Sequence, residues 1–413
     1  MKFDCIVLGA GMVGVSTALQ LLKRGQSVAL IDRRPAAEET SFGNAGLIEC
    51  EGYMPSLFPR DMSRIGAVAL NRSSEAHLHW RALPALAPWL LAYWRYSSKK
   101  NAMRTAQANA PLVSQCLAEH ETLMGEAGIE DMLRKDGYVR VFRDADGLEA
   151  AAQKEREVSE MFGSDFKVVS PAGLSELEPH LSDALAGGIY LRAPASVADP
   201  KAVGKAYATL FQSRGGAFLT GDARTLEPIR GGWQVQNVHS PITARNCVIA
   251  LGPWSGEVLK AIGFRVPLQV KRGYHMHYAT QGNATLTRPV FNEEHGFFIT
   301  PMHKGIRLTT GAEFACIDAP PTPVQLGRVE PMAREIFPLS NRVDGKAWLG
   351  QRPALPDMLP MIGGVPGHSG LWANFGHHHL GFTLGPVTGR LLAEIITQEP
   401  TFCDIHPYRT DRF

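Results

Sequence analysis

The start of the chain alternates between apolar runs and short polar breaks. Phe3–Leu8 is almost continuously apolar, which is typical of a strand that is buried on both faces. Val13–Lys23 carries apolar residues at helical spacing, and Ser27–Ile31 is again an apolar run. Together these segments predict a strand, a helix and a second strand, which form one β-α-β unit.

The rest of the chain switches repeatedly between helical and strand periods. Helices are predicted over Leu112–Met124, Leu148–Met161, Ala202–Phe211 and Pro386–Thr397, and strands over Gly137–Phe142, Ala217–Thr220, Gly232–Gln236, Asn246–Leu251, Val270–Tyr278, Gly296–Thr300, Ile306–Thr310 and Gly370–Phe375. Trp348–Pro360 is rich in proline, so we expect a loop there.

A glycine-rich turn lies between the first strand and the first helix. Gly9 permits a tight turn, Gly11 lets a pyrophosphate approach the backbone, and Gly14 lets the helix pack closely on the sheet. Asp32 ends the second strand about 20 residues beyond this turn, where an acid accepts a hydrogen bond from a ribose hydroxyl. The unit is therefore expected to bind a dinucleotide.

Composition narrows the choice of partner and compartment. The 413 residues are 45% hydrophobic and carry a net charge of +2, so we expect no nucleic-acid partner. The six cysteines are scattered without metal-binding spacing, which is typical of a reducing compartment. The chain begins on a strand and has no apolar run of membrane-spanning length, so a cytoplasmic location is expected.

One aromatic segment departs from this picture of a purely soluble protein. Leu83–Trp94 is apolar but contains two prolines, and its pattern favours a buried helix with a basic end at Arg95, Lys99 and Lys100. The wider stretch Trp80–Lys100 also has the composition of a surface that docks on a membrane.

Several further motifs follow the glycine turn in a specific order. They are Thr40–Gly46, Asp136–Phe142, Ala250–Ser255, Lys271–Tyr274, Gly350–Pro353, Pro356–Asp357, Pro360–Gly363 and His377–Gly381. With these motifs the chain resembles the FAD-dependent D-amino-acid oxidase superfamily, nearly from end to end. Within it, the chain is most similar to the small-subunit type of bacterial D-amino acid dehydrogenase. His378 and Glu49–Gly52 depart from the pattern of that branch, which leaves the substrate open.

The resemblance implies an α/β fold with two domains. A Rossmann-like FAD-binding domain of the glutathione-reductase type would comprise residues 1–50, 165–255 and 345–413. An α+β substrate domain with an antiparallel sheet would comprise residues 51–164 and 256–344. The first domain is thus discontinuous, and the ligand would lie at the interface.

The resemblance also implies which residues hold FAD, without a covalent bond. They are Gly9, Gly11, Met12, Val13, Gly14, Asp32, Arg33, Ser41, Asn44, Ala45, Gly46, Leu47, Gly252, Trp254, His377, His379, Leu380, Gly381 and Thr383. The small residues after Ser41 would run beside the flavin, and the helix that begins near Gly381 would stabilise negative charge on the ring. We expect no metal at His377–His379, because adjacent side chains point in different directions.

For the substrate, the resemblance assigns the carboxylate to Arg352. A guanidinium suits a carboxylate because its planar fork donates two parallel hydrogen bonds and keeps its charge. Tyr274 is expected to be a second carboxylate contact or a pocket lid, and Tyr53 is a weaker pocket candidate. The implied reaction is hydride transfer from the amino acid Cα to flavin N5, with no obligatory side-chain base. The products are an imino acid and, after hydrolysis, a 2-oxo acid.

Other functions remain open on sequence alone. The implied substrate is a D-amino acid, with D-proline or a hydroxy-D-proline as one option, and the electrons would pass to a respiratory acceptor at the inner face of the bacterial plasma membrane. A glycine or sarcosine oxidase that uses oxygen is an alternative within the same cofactor class. A flavin-binding subunit of a larger complex is a second alternative. An NAD-linked dehydrogenase explains the first motif but leaves Gly252–Ser255 and the C-terminal glycine cluster without a role.

Overall fold

The fold is described from a computed structural model, which covers residues 1–237 and 240–413. In chain order the strands are β1 (Lys2–Leu8), β2 (Val28–Asp32), β3 (Leu47–Ile48), β4 (Ala76–Leu78), β5 (Leu133–Arg134), β6 (Tyr138–Phe142), β7 (Phe166–Val169), β8 (Gly187–Leu191), β9 (Ala195–Val197), β10 (Ala217–Thr220), β11 (Glu227–Ile229), β12 (Gly232–Gln236), β13 (Pro241–Ile249), β14 (Gln269–Thr280), β15 (Val290–Asn292), β16 (Phe297–Met302), β17 (Gly305–Thr309), β18 (Ala312–Phe314), β19 (Leu339–Arg342), β20 (Trp348–Ala354), β21 (Met361–Gly364) and β22 (Leu371–Phe375).

The α-helices lie between these strands along the chain. They are α1 (Met12–Lys23), α2 (Met62–Ala69), α3 (Leu83–Tyr96), α4 (Lys99–Ala127), α5 (Ala145–Phe162), α6 (Pro171–Leu177), α7 (Pro200–Ser213), α8 (Ser255–Ala261), α9 (Val324–Ile336) and α10 (Gly381–Ile396). Local signals in the sequence explain several of their ends. For example, Asp199 caps α7 by accepting a hydrogen bond from the backbone N–H of Ala202 at 3.0 Å, and Pro200 occupies the first helical position.

The first sheet has a parallel core in which β10, β2, β1, β13 and β22 are neighbours in that order. Strands β12 and β11 continue it in antiparallel pairs beyond β13, and β21 pairs antiparallel with β22. Because β1 lies between β2 and β13, the chain reverses its winding direction there. Ligands of open parallel sheets bind at this point, beyond the carboxyl ends of the strands.

Both faces of this sheet are covered. Cys5 and Val7 of β1 belong to a core shared with α1, α4, α7 and α10, whereas Ile6 and Leu8 belong to a second core shared with β12 and α8. Burial on both faces explains why β1 and β2 appear in the sequence as nearly continuous apolar runs.

The second sheet is mostly antiparallel and is built around the long strand β14. Its order is β4, β18, β14, β17, β16, β15, β6, β8 and β7, and β14 also pairs with β19 and β20. Two pairs, β15 with β6 and β18 with β4, are parallel. A small sheet of β3, β9 and β5 joins segments that are distant in sequence.

The predicted β-α-β start, the four predicted helices and the alternating strands are confirmed, although the final helix begins five residues earlier than predicted, at Gly381. The loop predicted over Trp348–Pro360 is wrong in its first half, which forms β20 and pairs with β14. Pro353 is compatible with this strand because, among the strands of the described residues, β20 pairs with β14 alone and thus lies at an edge of the sheet.

Sheet membership bears on where the two proposed domains divide. The first sheet draws its strands from residues 2–32, 217–249 and 361–375, and the second draws most of its strands from 138–191 and 269–354. Strands β7 and β8 lie after residue 165 but belong to the second sheet. Likewise β20 lies after residue 345 and belongs there. We therefore propose boundaries near residues 195 and 355 in place of 165 and 345.

Candidate active site

A cavity of about 1000 Å³ runs between the two sheets. One end is lined by Gly9, Asp32 and Trp254, at the carboxyl ends of the parallel strands, and the other end is lined by Lys271 and Arg352 from the second sheet. Its volume lies at the upper end of the range for ligand pockets, so it is large enough for a dinucleotide cofactor.

The glycine turn at the first end has no room for side chains. Gly9 has φ = +102°, and a Cβ there would lie 2.5 Å from the carbonyl oxygen of Ala250. A Cβ on Gly14 would lie 1.8 Å from the carbonyl oxygen of Gly9. The two glycines therefore let strand and helix approach closely enough to place the first turn of α1 at the cavity wall.

Two further features of this end fit the phosphates and ribose of a dinucleotide. No side chain caps α1 at Gly11, so the helix N-terminus is available to an anion, apart from the Met12 N–H, which donates to Ser41 Oγ at 3.0 Å. Asp32 accepts hydrogen bonds from the backbone N–H groups of Ala10 at 2.7 Å and Arg34 at 3.0 Å, which orient its carboxylate. Its remaining lone pairs can accept from ribose hydroxyls.

Most of the predicted cofactor residues lie together on the wall of this cavity. These are Gly9, Gly11, Met12, Val13, Asp32, Arg33, Ser41, Asn44, Ala45, Leu47, Gly252, Trp254, His377, His379 and Gly381. Gly14, Gly46, Leu380 and Thr383 lie behind the wall. Thr383, for example, donates to the Leu47 carbonyl and accepts from the Glu49 N–H, both at 3.2 Å, so it supports the loop that lines the cavity.

Two of the three adjacent histidines have polar partners outside the cluster, and His378 Nδ1 also lies 3.1 Å from His379 Nδ1. His377 Nε2 pairs with Thr388 Oγ1 at 3.0 Å, and His378 Nε2 pairs with the Met358 carbonyl at 2.8 Å. His379 lines the cavity, where burial, with Arg352 and Lys271 nearby, lowers its pKa to about 3. It is therefore neutral at physiological pH. His378, which departs from the pattern of the dehydrogenase branch, also lies on the cavity wall.

Arg352 lies at the other end of the cavity and is anchored by backbone. Its guanidinium donates to the carbonyl oxygens of Gly311 at 3.0 Å and Thr310 at 3.2 Å. It lies against Gly273, where a Cβ would be 2.6 Å from Arg352 Nη2. Loss of solvation lowers its pKa to about 10, and the nearby Glu49 opposes that shift. Arg352 thus stays charged at neutral pH and keeps donors for an anion.

The two predicted tyrosines do not have the expected freedom to bind substrate. Tyr274 lines the cavity, but its hydroxyl donates to Glu313 at 3.0 Å and accepts from the Thr322 N–H at 2.7 Å. A carboxylate contact would break this buried network, so we keep Tyr274 only as part of the wall. Tyr53 is buried outside the cavity lining and stacks on Phe162, with ring centroids 4.9 Å apart.

Sequence analysis missed Lys271, which lies directly beside Arg352 across the β14–β20 pair. Lys271 is 7% exposed, and its Nζ lies 3.9 Å from the ring centroid of Tyr93. Burial, with Arg352 nearby, lowers its pKa to about 7. The signal that could have drawn attention to it was a lysine inside a predicted strand and at the start of the motif Lys271–Tyr274.

Two acids of the segment after β3 also line the cavity. Loss of solvation raises the pKa of Glu49 to about 7, and Arg352 partly opposes that shift. Loss of solvation also raises the pKa of Glu51 to about 7, although Glu51 accepts a hydrogen bond from the Asp165 N–H. In the sequence, this segment departs from the pattern of the dehydrogenase branch, but neither carboxylate was assigned a role.

One group of residues resembles a metal site, although the sequence indicated none. His77, His79 and Glu313 offer ligand atoms within 4.8 Å of one another. However, Glu313 already pairs with Arg272 Nε at 2.8 Å and with the Tyr274 hydroxyl. The arginine neutralises this carboxylate, so the group is better described as a buried ion-pair network.

The geometry so far describes a dinucleotide site continuous with a chamber that contains an anchored arginine. The sequence model of a family described as "FAD dependent oxidoreductase" matches residues 4–395 of the chain. The chain belongs to this family. It is therefore an FAD-dependent enzyme, and the glycine turn, the free end of α1 and Asp32 fit the adenosine diphosphate part of FAD.

Individual relatives cover the whole chain. A D-amino acid dehydrogenase of Paramagnetospirillum magneticum is 30% identical over 430 residues, which are 99% of this chain and 98% of the relative. A D-amino-acid oxidase of Bradyrhizobium diazoefficiens is 25% identical over 98% of each chain. The solved glycine oxidase of Geobacillus kaustophilus has the same fold, with a TM-score of 0.74, 21% identity and coverage of 100% of this chain and 99% of that chain.

Within the two described segments, no helix combines the length and the apolar character that crossing a membrane requires.

Proposed function

We propose that this enzyme is a D-amino acid dehydrogenase that oxidises its substrate to an imino acid and passes the electrons to a respiratory acceptor. The observation that carries the proposal is Arg352, a charged guanidinium fixed by two backbone carbonyls inside the cavity. Such a group suits the carboxylate of an amino acid. Relatives that align over nearly the whole chain, and are named D-amino acid dehydrogenases, support the same conclusion.

The chain's own residues bind and orient the substrate in this proposal. Arg352 holds the carboxylate, which positions the Cα–H bond inside the cavity, and positioning supplies much of the rate enhancement. The walls around Lys271 include Tyr93, Phe314 and Met358, which suit a small apolar side chain or ring, such as that of D-proline or a hydroxy-D-proline. FAD supplies the hydride acceptor. The imino acid then hydrolyses in water to a 2-oxo acid, and a cyclic imino acid persists longer.

We further propose that FAD is held without a covalent bond. Among the described residues, none of the cysteines lines the cavity, and Cys316, which follows β18, is exposed. After acid precipitation of the protein, the yellow colour should remain in the supernatant.

A substrate screen tests the proposed function. Purified holoenzyme should reduce an artificial dye with D-amino acids, among them D-proline and hydroxyproline epimers, and should react much more slowly with oxygen. Faster turnover of glycine or sarcosine with oxygen would favour the amine oxidase alternative. If no D-amino acid bleaches the flavin, the chain is better explained as a subunit of a larger complex.

We also propose that the mouth of the cavity makes peripheral contact with the membrane. Exposed apolar side chains occur in the segment 57–94, which contributes several residues to the cavity wall: Leu57, Met62, Trp80, Leu91 and Trp94 are each at least 40% exposed. Arg60 stacks on Trp94 at 4.8 Å, and basic residues follow along α3 and α4. Tryptophan and basic residues together favour the headgroup region of a bilayer. Trp89, which the sequence included in this surface, is instead buried.

Replacing both Trp80 and Trp94 with alanine should lower recovery of the enzyme on anionic vesicles several-fold, because the two largest apolar groups of the surface are removed. Met161→Ala is the control, since Met161 is 48% exposed on helix α5 and lies outside the proposed contact segment. Equal recovery of the double variant and the wild type would contradict the membrane contact.

A further inference from the structure

The substrate chamber has an acid as well as a cation, and only the cation has a role in the function proposed above. Glu49 follows the short strand β3 and lines the same cavity as Arg352. Each of the two groups shifts the pKa of the other towards its charged form. An amino acid brings one carboxylate and one ammonium group, so a cation and an anion in one chamber match both of its charges.

The contacts of the two groups differ in a way that leaves Glu49 free. Arg352 is anchored by the carbonyls of Thr310 and Gly311, whereas the Glu49 carboxylate makes no hydrogen bond to any part of the described chain. Only the backbone N–H of Glu49 is used, in its bond to Thr383. A carboxylate that lines a cavity and receives no donor from the described chain keeps its lone pairs for a cationic ligand.

The chemistry of amine oxidation provides such a partner. An ammonium nitrogen has no lone pair, so it must lose a proton before the Cα–H bond can break and a C=N bond can form. On this basis, which rests on the proposed function, we propose that Glu49 binds the substrate ammonium opposite Arg352 and accepts its proton. The N–H bond breaks, an O–H bond forms on the carboxylate, and a cationic and an anionic group become a neutral amine and a neutral acid.

The environment of Glu49 suits this proton transfer. Loss of solvation raises its pKa to about 7, close to the pH at which a general base works best. The other titratable groups coupled to it are Tyr138 on β6, Cys50 next to it and Cys116 on α4. Burial raises the pKa of each, so all three stay neutral near pH 7. Arg352 is therefore the charged group that faces Glu49.

Glu51 is the rival acid, and its surroundings differ. The carboxylate of Glu51 accepts from the Asp165 N–H, and the charges that influence it are Glu155, Asp165 and Arg192. Arg352 is not among them. Glu51 is thus matched to Glu49 in charge, in pKa and in its place on the cavity wall, but it is coupled to different residues.

A binding experiment on the holoenzyme separates these roles without relying on turnover. The probe is 2-aminoisobutyrate, which has no Cα–H bond and cannot be oxidised, and isobutyrate is its counterpart without the amine. Both are followed by the change in flavin absorbance. Wild-type enzyme should bind 2-aminoisobutyrate at least about ten-fold more tightly, and this preference should disappear as the pH falls well below 7 and Glu49 becomes neutral.

Glu49→Gln should abolish the preference for 2-aminoisobutyrate while isobutyrate binds equally or more tightly, because a negative charge near Arg352 is removed. Glu49→Asp should restore part of the preference, and Glu51→Gln should keep it. Turnover of D-amino acids by Glu49→Gln should fall by about 10²-fold in kcat, the usual contribution of a general base. If Glu49→Gln retains the preference, or if Glu51→Gln alone loses it, the inference is wrong.

Failure of the proposed dehydrogenase function would give different results from failure of the role of Glu49. If Arg352→Ala binds isobutyrate as well as the wild type does, the carboxylate role of Arg352 fails, whatever Glu49 does. If Arg352→Ala loses both ligands but Glu49→Gln behaves like the wild type, only the role of Glu49 fails. FAD content and melting temperature, measured for each variant, identify any that fold poorly. If Glu49→Gln folds poorly, the Glu49→Asp variant provides the test instead. Complete loss of the preference for 2-aminoisobutyrate in a well-folded Glu49→Asp variant would also contradict the inference.

Discussion

Arg352→Ala should raise the KM for the best D-amino acid substrate sharply and lower kcat/KM by a factor of about 10² to 10³, while FAD stays bound. The loss follows from leaving a substrate carboxylate unpaired in a desolvated chamber, which costs about 2–5 kcal/mol. FAD should stay bound because Arg352 is carried by the second sheet, and its contacts are the carbonyls of Thr310 and Gly311. Steady-state kinetics with the visible spectrum of each preparation measure both results.

Two variants control this prediction. Arg352→Lys keeps the charge but loses the planar fork, so it should recover only part of the activity. Lys271→Met removes the neighbouring cation, since Lys271 on β14 is the register partner of Arg352 on β20. An unchanged KM in Arg352→Ala together with a raised KM in Lys271→Met would assign the carboxylate to Lys271 instead. Binding of the carboxylate by Arg352 should also weaken as the pH approaches 10, where this guanidinium begins to lose its proton.

The second large effect is expected at the other end of the cavity. Gly14→Ala should prevent FAD loading and lower the stability of the fold by about 3 kcal/mol or more, because overpacking at a fixed backbone contact has no low-cost relaxation. The added Cβ would lie 1.8 Å from the carbonyl oxygen of Gly9, within the turn that faces the phosphates. Moving α1 away to relieve the clash would also displace the helix N-terminus from the cofactor site.

Gly327→Ala is the matched control for this prediction. Gly327 lies inside helix α9, and a Cβ there would meet no atom within 4 Å. It should raise stability by about 0.5–1 kcal/mol because alanine favours the helix. The yield of yellow holoprotein and the melting temperature measure both variants. A Gly14→Ala protein with wild-type FAD content and melting temperature would refute the close-packing role of Gly14.

The two ends of the site differ in how far the sequence could predict them. The dinucleotide end is local: Gly9, Gly11, Gly14 and Asp32 lie within one β-α-β unit, whose period and turn residues specify its geometry. The residues predicted for this end lie on the cavity wall or directly behind it, and their contacts with FAD stay a prediction. Arg352 was found for a different reason, since a motif resembling that of a known family singled it out.

The substrate end is non-local, and only the tertiary structure assembled it. Lys271 and Arg352 are brought together by the pairing of β14 with β20, and Glu49 reaches them from a segment after β3. Periodicity in the sequence shows which face of a strand is buried, but it does not show which distant strand lies beside it. This is why β20 was mistaken for a loop. The hydrogen bond from the Tyr274 hydroxyl to Glu313 also joins two different strands, so the sequence did not reveal it.

Sequence by itself determined the family, the cofactor and its phosphate-binding turn, because these depend on short segments with strong local constraints. The tertiary structure decided which charges share the substrate chamber and in what environment. Charges such as Glu49 and Lys271 take their properties from the solvent that the fold excludes and from the groups it places beside them. Neither the exclusion of solvent nor the identity of the neighbouring groups can be read from the linear sequence.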